Sequence, residues 1–340
     1  MGVSSIEWTD RTWNPVTGCV KVSPGCKNCY AETVANRFWK GRKFTDVRTH
    51  DDRLEQPLHW RKPSKIFVNS MSDLFHEDVP FEFIDKVFAV MALCPQHTFQ
   101  VLTKRPERML EYFADRPRLC KIQYAKEVIT GEMPSGIWTG SWPIHNVWLG
   151  VSVENQEYAD KRIPLLLQAP AAIRFCSYEP ALGPVDFTKL RHDLLAPSNG
   201  LQRVLGDEQE FNAIRGERIQ GRIGYSYQKL DWIIVGGESG AGARTFNIEW
   251  ARAVLRQCGY GYRSSRPEVQ VFVKQLGARI RPGESFDTFI RNNPIVGNWR
   301  CNTGGGPGNA YLRTPDRKGG DMSEWPEDLR VREFPKETRP

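Results

Sequence analysis

The sequence has no run of about eighteen apolar residues, which is the length that a membrane-crossing helix needs. Its opening residues also lack the basic segment and apolar stretch of a secretory leader. With 340 residues and 39.0 kDa, the chain is long enough to bury a substantial core. We therefore expect a soluble, cytoplasmic protein without a membrane partner.

Motifs of several common enzyme classes are missing as well. The sequence has no Walker-type phosphate loop, no nucleophile elbow and no internal repeat. A glycine-rich stretch at 236–242 follows a predicted strand but does not match the dinucleotide-binding fingerprint. This stretch is either a loop that approaches a ligand closely or a plain tight turn.

Acidic residues are in the minority. The chain has 47 Lys and Arg against 40 Asp and Glu, a formal net charge of +7 and a pI of about 9.0. This balance favours an anionic partner such as a nucleic acid or a nucleotide. Residues 41–64 are basic and irregular. They form either a phosphate-contacting surface or an ordinary solvated connection.

The eight cysteines are unevenly distributed. Cys19, Cys26 and Cys29 lie within eleven residues, and the other five are scattered singly. Gly18 and Pro24 form turns, which allow the backbone to fold back so that the three sulfurs converge. The stretch therefore predicts a metal-binding loop.

The number of clustered cysteines bears on which metal they bind. A structural zinc site normally has two pairs of ligands, and the sequence has no second Cys-x-x-Cys pair and no histidine at zinc-finger spacing. An iron–sulfur cubane held by three thiolates leaves one iron open to a small molecule. We favour such a cluster over zinc with a remote fourth ligand. The remaining alternative is a turn with buried or disulfide-linked cysteines.

Strands and helices alternate along most of the chain. Apolar runs predict strands at 4–16, 65–70, 98–103, 147–152, 173–177, 230–235 and 269–274. Apolar residues at helical spacing predict helices at 30–39, 81–93, 106–114, 156–168 and 248–258. Strands separated by helices are generally parallel and buried on both faces. The prediction is an α/β fold with a complete or partial parallel β/α barrel, and an open doubly wound sheet is the competitor.

We expect residues 1–299 to form a single barrel domain and residues 300–340 to form an extended C-terminal arm. Two segments interrupt the alternation, at about 115–146 and 188–229, and both are rich in turn residues. They are either lids and substrate loops or plain surface.

Polar residues follow the predicted strands. In β/α folds, functional residues gather where the strands end, so the cysteine loop and these residues are expected at one mouth. Each residue alone is commonly a cap or a turn former. Together they predict a site, and its candidates are Asn69, Ser70, Asp73, Lys104, Arg105, Ser152, Glu154, Glu179, Gly236, Gly237, Glu238 and Lys274.

A three-cysteine loop between a first strand and a helix, at the opening of a β/α barrel, resembles the radical S-adenosylmethionine (SAM) enzymes. The resemblance implies that Cys19, Cys26 and Cys29 bind a [4Fe–4S] cluster. Its open iron would hold the amino and carboxylate groups of SAM, and an electron would cleave SAM to methionine and a 5′-deoxyadenosyl radical. Six residues separate Cys19 from Cys26, a longer gap than is usual in the superfamily, and two separate Cys26 from Cys29. An external electron donor is implied.

Further motifs, spread over nearly the whole chain, are similar to a phage-associated family called after phage gene products thirty-seven and sixty-eight. The similar motifs are Asn14-Pro15, Gly18-Cys19, Ser23-Pro-Gly-Cys26, Cys29-Tyr-Ala-Glu32, Val235-Gly-Gly-Glu-Ser-Gly240, Lys318-Gly-Gly-Asp321 and residues 324–335. This resemblance implies a phage or mobile-DNA context and no particular activity.

The radical SAM resemblance also implies cofactor contacts. The motif that holds the SAM amino group follows the second strand in that superfamily, so Asp73 or Ser70 would take this role here. Ser152 and Glu154 fit contacts with ribose or carboxylate groups. The remaining candidate cofactor contacts are Tyr30, Asn69, Gly236, Gly237 and Glu238.

Four residues are candidates for orienting a substrate or moving protons: Lys104, Arg105, Glu179 and Lys274. The leading hypothesis is an iron–sulfur enzyme that uses SAM reductively to modify a nucleobase, a nucleotide or DNA. The alternative is a zinc-dependent nucleic-acid-binding protein without SAM chemistry. A barrel hydrolase with structural cysteines is a third possibility.

Overall fold

The computed structural model describes residues 4–115, 117–192, 209–218, 228–240, 242–261, 267–302 and 310–336. Within these ranges, no helix combines the length and the apolar character that a membrane span requires.

Seven strands form one sheet, in which their spatial order is their order along the chain. They are β1 (Arg11–Trp13), β2 (Lys65–Val68), β3 (Thr98–Thr103), β4 (Val147–Val153), β5 (Ile173–Tyr178), β6 (Trp232–Gly236) and β7 (Gln270–Gln275). The pairs β1/β2, β2/β3, β3/β4 and β6/β7 are parallel. Every residue of β4 and β6 is buried, as in strands that are covered on both faces.

The prediction of an α/β fold on a parallel sheet is thus confirmed. The strand order shows no reversal of the kind that a doubly wound sheet has, and β1 and β7, at the two ends of the order, do not pair with each other within the described residues. β7 instead forms an antiparallel bridge to the C-terminal segment, between Phe272 and Arg332. This is the strand order of a partial barrel and not of a complete one.

Seven α-helices lie in the described ranges. They are α1 (Tyr30–Phe38), α2 (Phe81–Leu93), α3 (Pro106–Ala114), α4 (Arg118–Thr130), α5 (Gln156–Leu166), α6 (Ile248–Gln257) and α7 (Phe286–Asn292). The side chains of Asn155, Asn247 and Ser285 accept hydrogen bonds from the first turns of α5, α6 and α7 and so fix where these helices begin. The apolar spacing predicted all of the helices except α4 and α7.

Backbone contacts group the chain into two compact units. The first contains Met1–Ser152, Gln168–Phe175 and Lys336–Pro340, and the second contains Val153–Leu167 and Cys176–Pro335. The predicted boundaries at 299 and 300 stay a prediction.

The first unit has an aromatic core under the sheet. The ring of Trp8 lies 4.8 Å from that of Phe67, and the ring of Trp13 lies 5.8 Å from that of Phe99. In β4, a Cβ at position 150 would lie 2.5 Å from the ring of Phe175, so only glycine leaves room for this ring.

Helix α4 lies in the first predicted insertion and packs against α2. Its buried residues include Arg118, Gln123 and Glu127, and apolar periodicity therefore does not reveal it. The Arg118 guanidinium donates to both carboxylate oxygens of Asp85 on α2, at 3.0 Å each. The Tyr112 hydroxyl donates to the same carboxylate at 2.9 Å. A buried ion pair therefore joins these two helices in addition to their buried apolar residues.

The second unit carries two small sheets besides β6 and β7. One is antiparallel and contains Leu190–His192, Gln209–Asn212 and Glu217–Arg218. The other joins Phe246–Asn247, Ile280–Arg281, Tyr311–Arg313 and Arg300–Asn302. Residues 193–208 and 219–227 of the second predicted insertion, and 303–309 and 337–340 of the predicted arm, lie outside the described residues.

The chain end packs into this unit. The indole N–H of Trp232 donates to the Glu333 carbonyl at 2.8 Å, and the ring of Phe334 lies 5.2 Å from that of Trp232. Trp325 is fully buried. These contacts hold the described part of the C-terminal segment against β6 and β7.

We predict that Arg118→Met lowers the free energy of unfolding by about 3 kcal/mol, because it leaves the buried Asp85 carboxylate without its cation. The double variant Asp85→Leu/Arg118→Met should recover much of this loss. Urea unfolding followed by circular dichroism measures both changes.

Lys121 provides the matched control on the same helix. Its ion pair with Asp115 is 47% and 30% exposed, so Lys121→Met should change the free energy of unfolding by about 0.5 kcal/mol or less. If Arg118→Met and Lys121→Met lowered the free energy of unfolding equally, the buried ion pair would not be what stabilises the packing of α2 against α4.

Candidate metal centre

The cysteine loop lies between β1 and α1, as the sequence predicts. Its base is fixed by two backbone hydrogen bonds, from the Gly18 N–H to the Met71 carbonyl at 3.0 Å and from the Cys19 N–H to the Phe44 carbonyl at 2.9 Å. Gly18 has a φ of +95°, and a Cβ there would clash with the carbonyl oxygen of Asp46. Only glycine permits this close approach of two backbones.

All eight cysteines belong to the described part of the chain, and all are free. Cys19, Cys26 and Cys29 are each partly exposed. The Cys19 sulfur accepts a hydrogen bond from Arg105 at 3.7 Å, and the Cys26 sulfur lies 3.7 Å from the Ser23 hydroxyl oxygen. Across the described ranges, no three His, Cys, Asp or Glu side chains are already arranged to hold a metal ion. The loop thus offers three thiols whose donor chemistry suits a soft metal or an iron–sulfur cluster.

Two of these thiols have opposite pKa shifts. Burial, reinforced by the Asp73 carboxylate, raises the pKa of Cys19 to about 11. Burial also acts upward on Cys26, but the Lys104 ammonium and hydrogen bonds within the loop outweigh it and lower the pKa of Cys26. Cys26 is therefore the thiol that ionises more readily.

Asp73 is the anchor of the neighbouring loops. Its carboxylate belongs to a residue that is only 5% exposed, and it accepts four hydrogen bonds. The Thr103 hydroxyl donates at 2.8 Å, the backbone N–H groups of Phe75 and Lys104 donate at 3.0 Å, and the Arg105 guanidinium donates at 3.2 Å. Both oxygens are saturated, so Asp73 joins the loops after β2 and β3.

The Arg105 guanidinium extends this connection to the cysteine loop. Besides Asp73 and the Cys19 sulfur, it contacts the Val20 carbonyl at 3.3 Å and the Glu77 carboxylate at 3.2 Å. Arg105 is 6% exposed. One buried cation therefore holds together the loops that follow the first three strands.

Asn69 comes directly after β2 and has an unusual environment. It is 2% exposed and has a φ of +60°. Its side-chain oxygen accepts the Val16 N–H at 3.1 Å, which fixes the amide orientation, while its Nδ2 has no partner among the described residues. A strained backbone and a buried, unsatisfied donor are typical of functional sites.

Two further predicted residues border the cysteine loop. Tyr30, the first residue of α1, donates its hydroxyl to the Ser70 carbonyl. The Lys104 ammonium lies 3.3 Å from the Ser23 hydroxyl oxygen and interacts electrostatically with Cys26. Of the predicted residues in the first unit, Asp73, Lys104 and Arg105 act on the cysteines, and Tyr30 directly follows Cys29. Asn69 and Ser70 lie in the loop after β2, where their contacts are with Val16, Asn14 and Tyr30.

In the second unit, two predicted catalytic residues meet. The Glu179 carboxylate pairs with the Lys274 ammonium at 3.1 Å, and the Ser177 hydroxyl donates to the same carboxylate at 3.2 Å. A Cβ at position 236 would lie 2.8 Å from a carboxylate oxygen of Glu179, so Gly236 leaves it room. The side chains of Glu179 and Lys274 are 12% and 21% exposed, which leaves this pair accessible to a small molecule.

Other predicted residues of this unit make structural contacts. Glu154 is fully buried and pairs with Arg162 at 3.2 Å. Glu238 binds Arg244 through both carboxylate oxygens, at 2.7 and 3.0 Å. A Cβ at Gly237 would lie 2.5 Å from a backbone oxygen. These contacts account for the residue types, and the predicted ligand contacts stay predictions.

Sequence reasoning did not assign Asn14 and Arg244 to these networks, and it placed Thr103 among the polar residues at the strand ends without giving it a role. The Asn14 side chain accepts hydrogen bonds from Ser70 and from the Met71 N–H, at 3.2 and 2.9 Å, and its Asn-Pro motif was a usable signal. Thr103 ends β3, where polar residues gather, whereas Arg244 has no local signal. Ser152, a predicted cofactor contact, is 4% exposed within β4.

Fold and site together define an α/β protein with a thiol-rich loop beside its first strand. Residues 3–300 match the family described as "Protein of unknown function (DUF5131)", and the chain belongs to this family. No curated protein and no solved structure matches the chain. The family description assigns no activity, so the function has to be argued from the site.

We predict that iodoacetamide alkylates Cys26 faster than Cys19 in metal-free protein at neutral pH, because the lower pKa gives Cys26 the larger thiolate fraction. Lys104→Met should slow the alkylation of Cys26 and move its pH profile upward, since the stabilising charge is lost. Mass spectrometry of peptides across a pH series measures both rates.

Lys62→Met is the control, because this exposed lysine lies outside the cysteine loop. It should leave the alkylation profile of Cys26 unchanged. If Cys19 and Cys26 reacted with the same pH profile, the assigned difference between their pKa values would be wrong.

Proposed function

We propose that the protein is an iron–sulfur enzyme that binds a [4Fe–4S] cluster through Cys19, Cys26 and Cys29 and uses it to reduce SAM. Its substrate is a nucleobase, a nucleotide or DNA, and its electron comes from an external donor in the cytoplasm. The observation that carries the proposal is the set of three free, partly exposed thiols on one loop, without a fourth cysteine in the same segment. The partial barrel and the radical SAM resemblance support it.

The donor set fits such a cluster electrostatically. Three thiolates on one loop repel each other, and each has a cation nearby. Arg105 donates to Cys19, Lys104 acts on Cys26, and Lys21 interacts with both Cys26 and Cys29. Arg105 and Lys104 act to favour the ionised forms of Cys19 and Cys26 that metal binding requires; Lys104 contributes to the lowered pKa of Cys26, whereas burial outweighs Arg105 at Cys19, and Lys21 is also paired with Glu32.

When bound, a cluster with three protein ligands supplies an open iron and one-electron reduction of SAM. The protein's own groups would orient that cofactor. The buried, unsatisfied Nδ2 of Asn69 is a donor of the kind that a carboxylate oxygen accepts, and the carbonyl of the next residue, Ser70, accepts the Tyr30 hydroxyl. Asp73 acts through Arg105 and is a positioning residue, because its oxygens are already saturated.

The pair Glu179 and Lys274 is proposed to orient a substrate or to hold a proton. The Ser177 hydroxyl and the Lys274 ammonium both contact the Glu179 carboxylate, so the three groups form a polar cluster that is partly open to solvent. Such a cluster can accept or donate a proton at the Glu179 oxygens. The net charge of +7 and the phage-family resemblance support an anionic substrate from nucleic-acid chemistry.

We predict that protein purified without oxygen contains about four irons and four sulfides per chain and gives a reducible electron paramagnetic resonance signal that SAM shifts. Cys26→Ala should lose the signal and most of the iron, because two thiolates do not hold the cubane. Metal and sulfide analysis with the spectra before and after addition of SAM tests this.

Cys120→Ala is the control, since this exposed cysteine on α4 lies outside the loop and should leave the iron content unchanged. One zinc per chain and no iron would overturn the proposal in favour of the zinc-dependent alternative. Loss of iron from both variants would show that the effect does not come from the loop.

A second prediction concerns Arg105. Arg105→Met removes a positively charged donor from the Cys19 sulfur, so the midpoint potential of the bound cluster should fall by tens of millivolts. Arg105→Lys keeps the positive charge, so the midpoint potential of its cluster should fall less. A redox titration followed by electron paramagnetic resonance gives the potential.

Arg108→Met serves as the control because Arg108 donates to the backbone carbonyls of His76 and Val79 and not to a sulfur. Its cluster should keep the potential of the unmodified protein. An unchanged potential in Arg105→Met, with full iron content, would contradict the role given to Arg105.

A further inference from the structure

Helix α1 has an exposed apolar stripe immediately after the cysteine loop. Tyr30, Val34 and Phe38 follow at four-residue spacing and therefore lie side by side on the helix. Their exposed fractions are 53%, 38% and 65%. The neighbouring side of the helix is buried through Ala31 and Ala35. Two aromatic rings and a valine are thus partly exposed to solvent on one side of the helix, with the Tyr30 hydroxyl bound to the Ser70 carbonyl and the Arg37 guanidinium 5.2 Å from the centre of the Phe38 ring.

A basic cavity follows the end of this helix. It has a volume of about 660 Å³ and is lined by four cationic residues and one acidic residue, a formal excess of three positive charges. The charged lining residues are Lys40, Arg42, Lys43, Asp46 and Arg48. The cavity starts two residues after Phe38, so the apolar stripe and the cations are neighbours along the chain.

The two lysines are the cations available to a ligand. Arg48 pairs with the Asp46 carboxylate at 2.6 Å, and Arg42 lies 3.5 Å from the same carboxylate. Lys40 and Lys43 are exposed, and neither has an acidic partner in the described ranges. The cavity therefore presents unneutralised positive charge that an anion can bind.

The cavity wall is rigid and adjoins the cysteine loop. The Arg42 guanidinium donates to the hydroxyl and the carbonyl of Thr17, at 3.0 Å each, and lies 4.2 Å from the centre of the Trp39 ring. Thr17 directly precedes Gly18-Cys19, and the Phe44 carbonyl accepts the Cys19 N–H. A ligand in the cavity would thus lie beside the candidate metal centre.

We propose that this surface, made of the α1 stripe and the basic cavity, binds single-stranded nucleic acid. Bases stack on Phe38 and Tyr30, and backbone phosphates lie at Lys40 and Lys43. Exposed aromatic rings beside unpaired cations are what single-strand binding requires, since every base has a π-face and every linkage a charge. The inference takes its substrate class from the proposed function and gives that substrate a binding surface in the first unit.

The test measures the binding of a fluorescent oligonucleotide of about 16 nucleotides, as single-stranded DNA, as RNA and as duplex, by anisotropy at several salt concentrations. The protein is used as purified, and its iron content is measured in the same samples. We expect the single strands to bind more tightly than the duplex, because paired bases cannot stack on the protein.

Phe38→Ala should weaken single-strand binding roughly 5- to 100-fold, since it removes a stacking platform. Lys40→Ala/Lys43→Ala should make the plot of log K against log salt less steep by about 1.4, because each of the two lost phosphate contacts accounts for about 0.7. Both changes affect exposed side chains, so the iron content and the fold should be unchanged.

The matched controls are Tyr124→Ala, an exposed aromatic on α4, and Lys318→Ala/Lys336→Ala, which makes the same change of charge elsewhere. Neither should alter the binding constant by more than about twofold at fixed salt.

Four results would overturn this inference: no salt-dependent binding, duplex binding as tight as single-strand binding, equal losses in variants and controls, or a change of oligomeric state in Phe38→Ala with no change in binding. Each of these results can be obtained with protein that contains a complete cluster, so the nucleic-acid surface and the proposed cofactor are tested independently. Loss of iron with binding intact would contradict only the cofactor.

Discussion

The buried ion pair between Asp73 and Arg105 is the constraint on which the candidate metal centre depends. Taking two charges out of water costs several kcal/mol for each ion unless hydrogen bonds satisfy them. Here every oxygen of Asp73 and every branch of Arg105 has partners, and these partners come from the loops after β1, β2 and β3. A movement of any one of these loops therefore removes at least one hydrogen bond from the buried ion pair.

This constraint explains how a loop of small and turn-forming residues holds its place. Cys19 is fixed on both sides, by its N–H to the Phe44 carbonyl and by its sulfur to Arg105. Cys26 and Cys29 lie further along the loop and are only partly exposed, with Lys104 and Lys21 nearby. Cys19 is thus fixed on both sides, and the segment that carries Cys26 is contacted by the Lys104 ammonium through the Ser23 hydroxyl.

Much of the fold could be predicted, because the strands are continuous apolar runs and the main helices have one apolar face. Helix α4 could not, since it buries Arg118, Gln123 and Glu127 and is stabilised by ion pairs that no local pattern records. The small sheet that joins Phe246–Asn247 to Tyr311–Arg313 depends on contacts between distant segments, and apolar periodicity does not report those.

The candidate site shows the same division. The spacing of the cysteines and the polar strand ends pointed to Cys19, Asp73 and Arg105, because both are local features. The sequence did not indicate that the Asp73 carboxylate would be saturated by protein donors, since that depends on three loops meeting. Arg244, which neutralises Glu238, was likewise invisible. Residue type is readable from the chain, whereas its hydrogen-bond partner is a property of the fold.

The close approach of Gly18 to the segment around Asp46 links two features that would otherwise be independent. Thr17 and Arg48 are partners in a short antiparallel strand pair, and the Cys19 N–H donates to the Phe44 carbonyl. A change in the backbone of residues 42–48 therefore alters the support of Cys19 directly. By linkage, a ligand of the basic cavity whose binding moves Cys19 would also change the affinity of the loop for any metal that it binds. The basic cavity and the thiol-rich loop therefore share one stretch of backbone within the first unit.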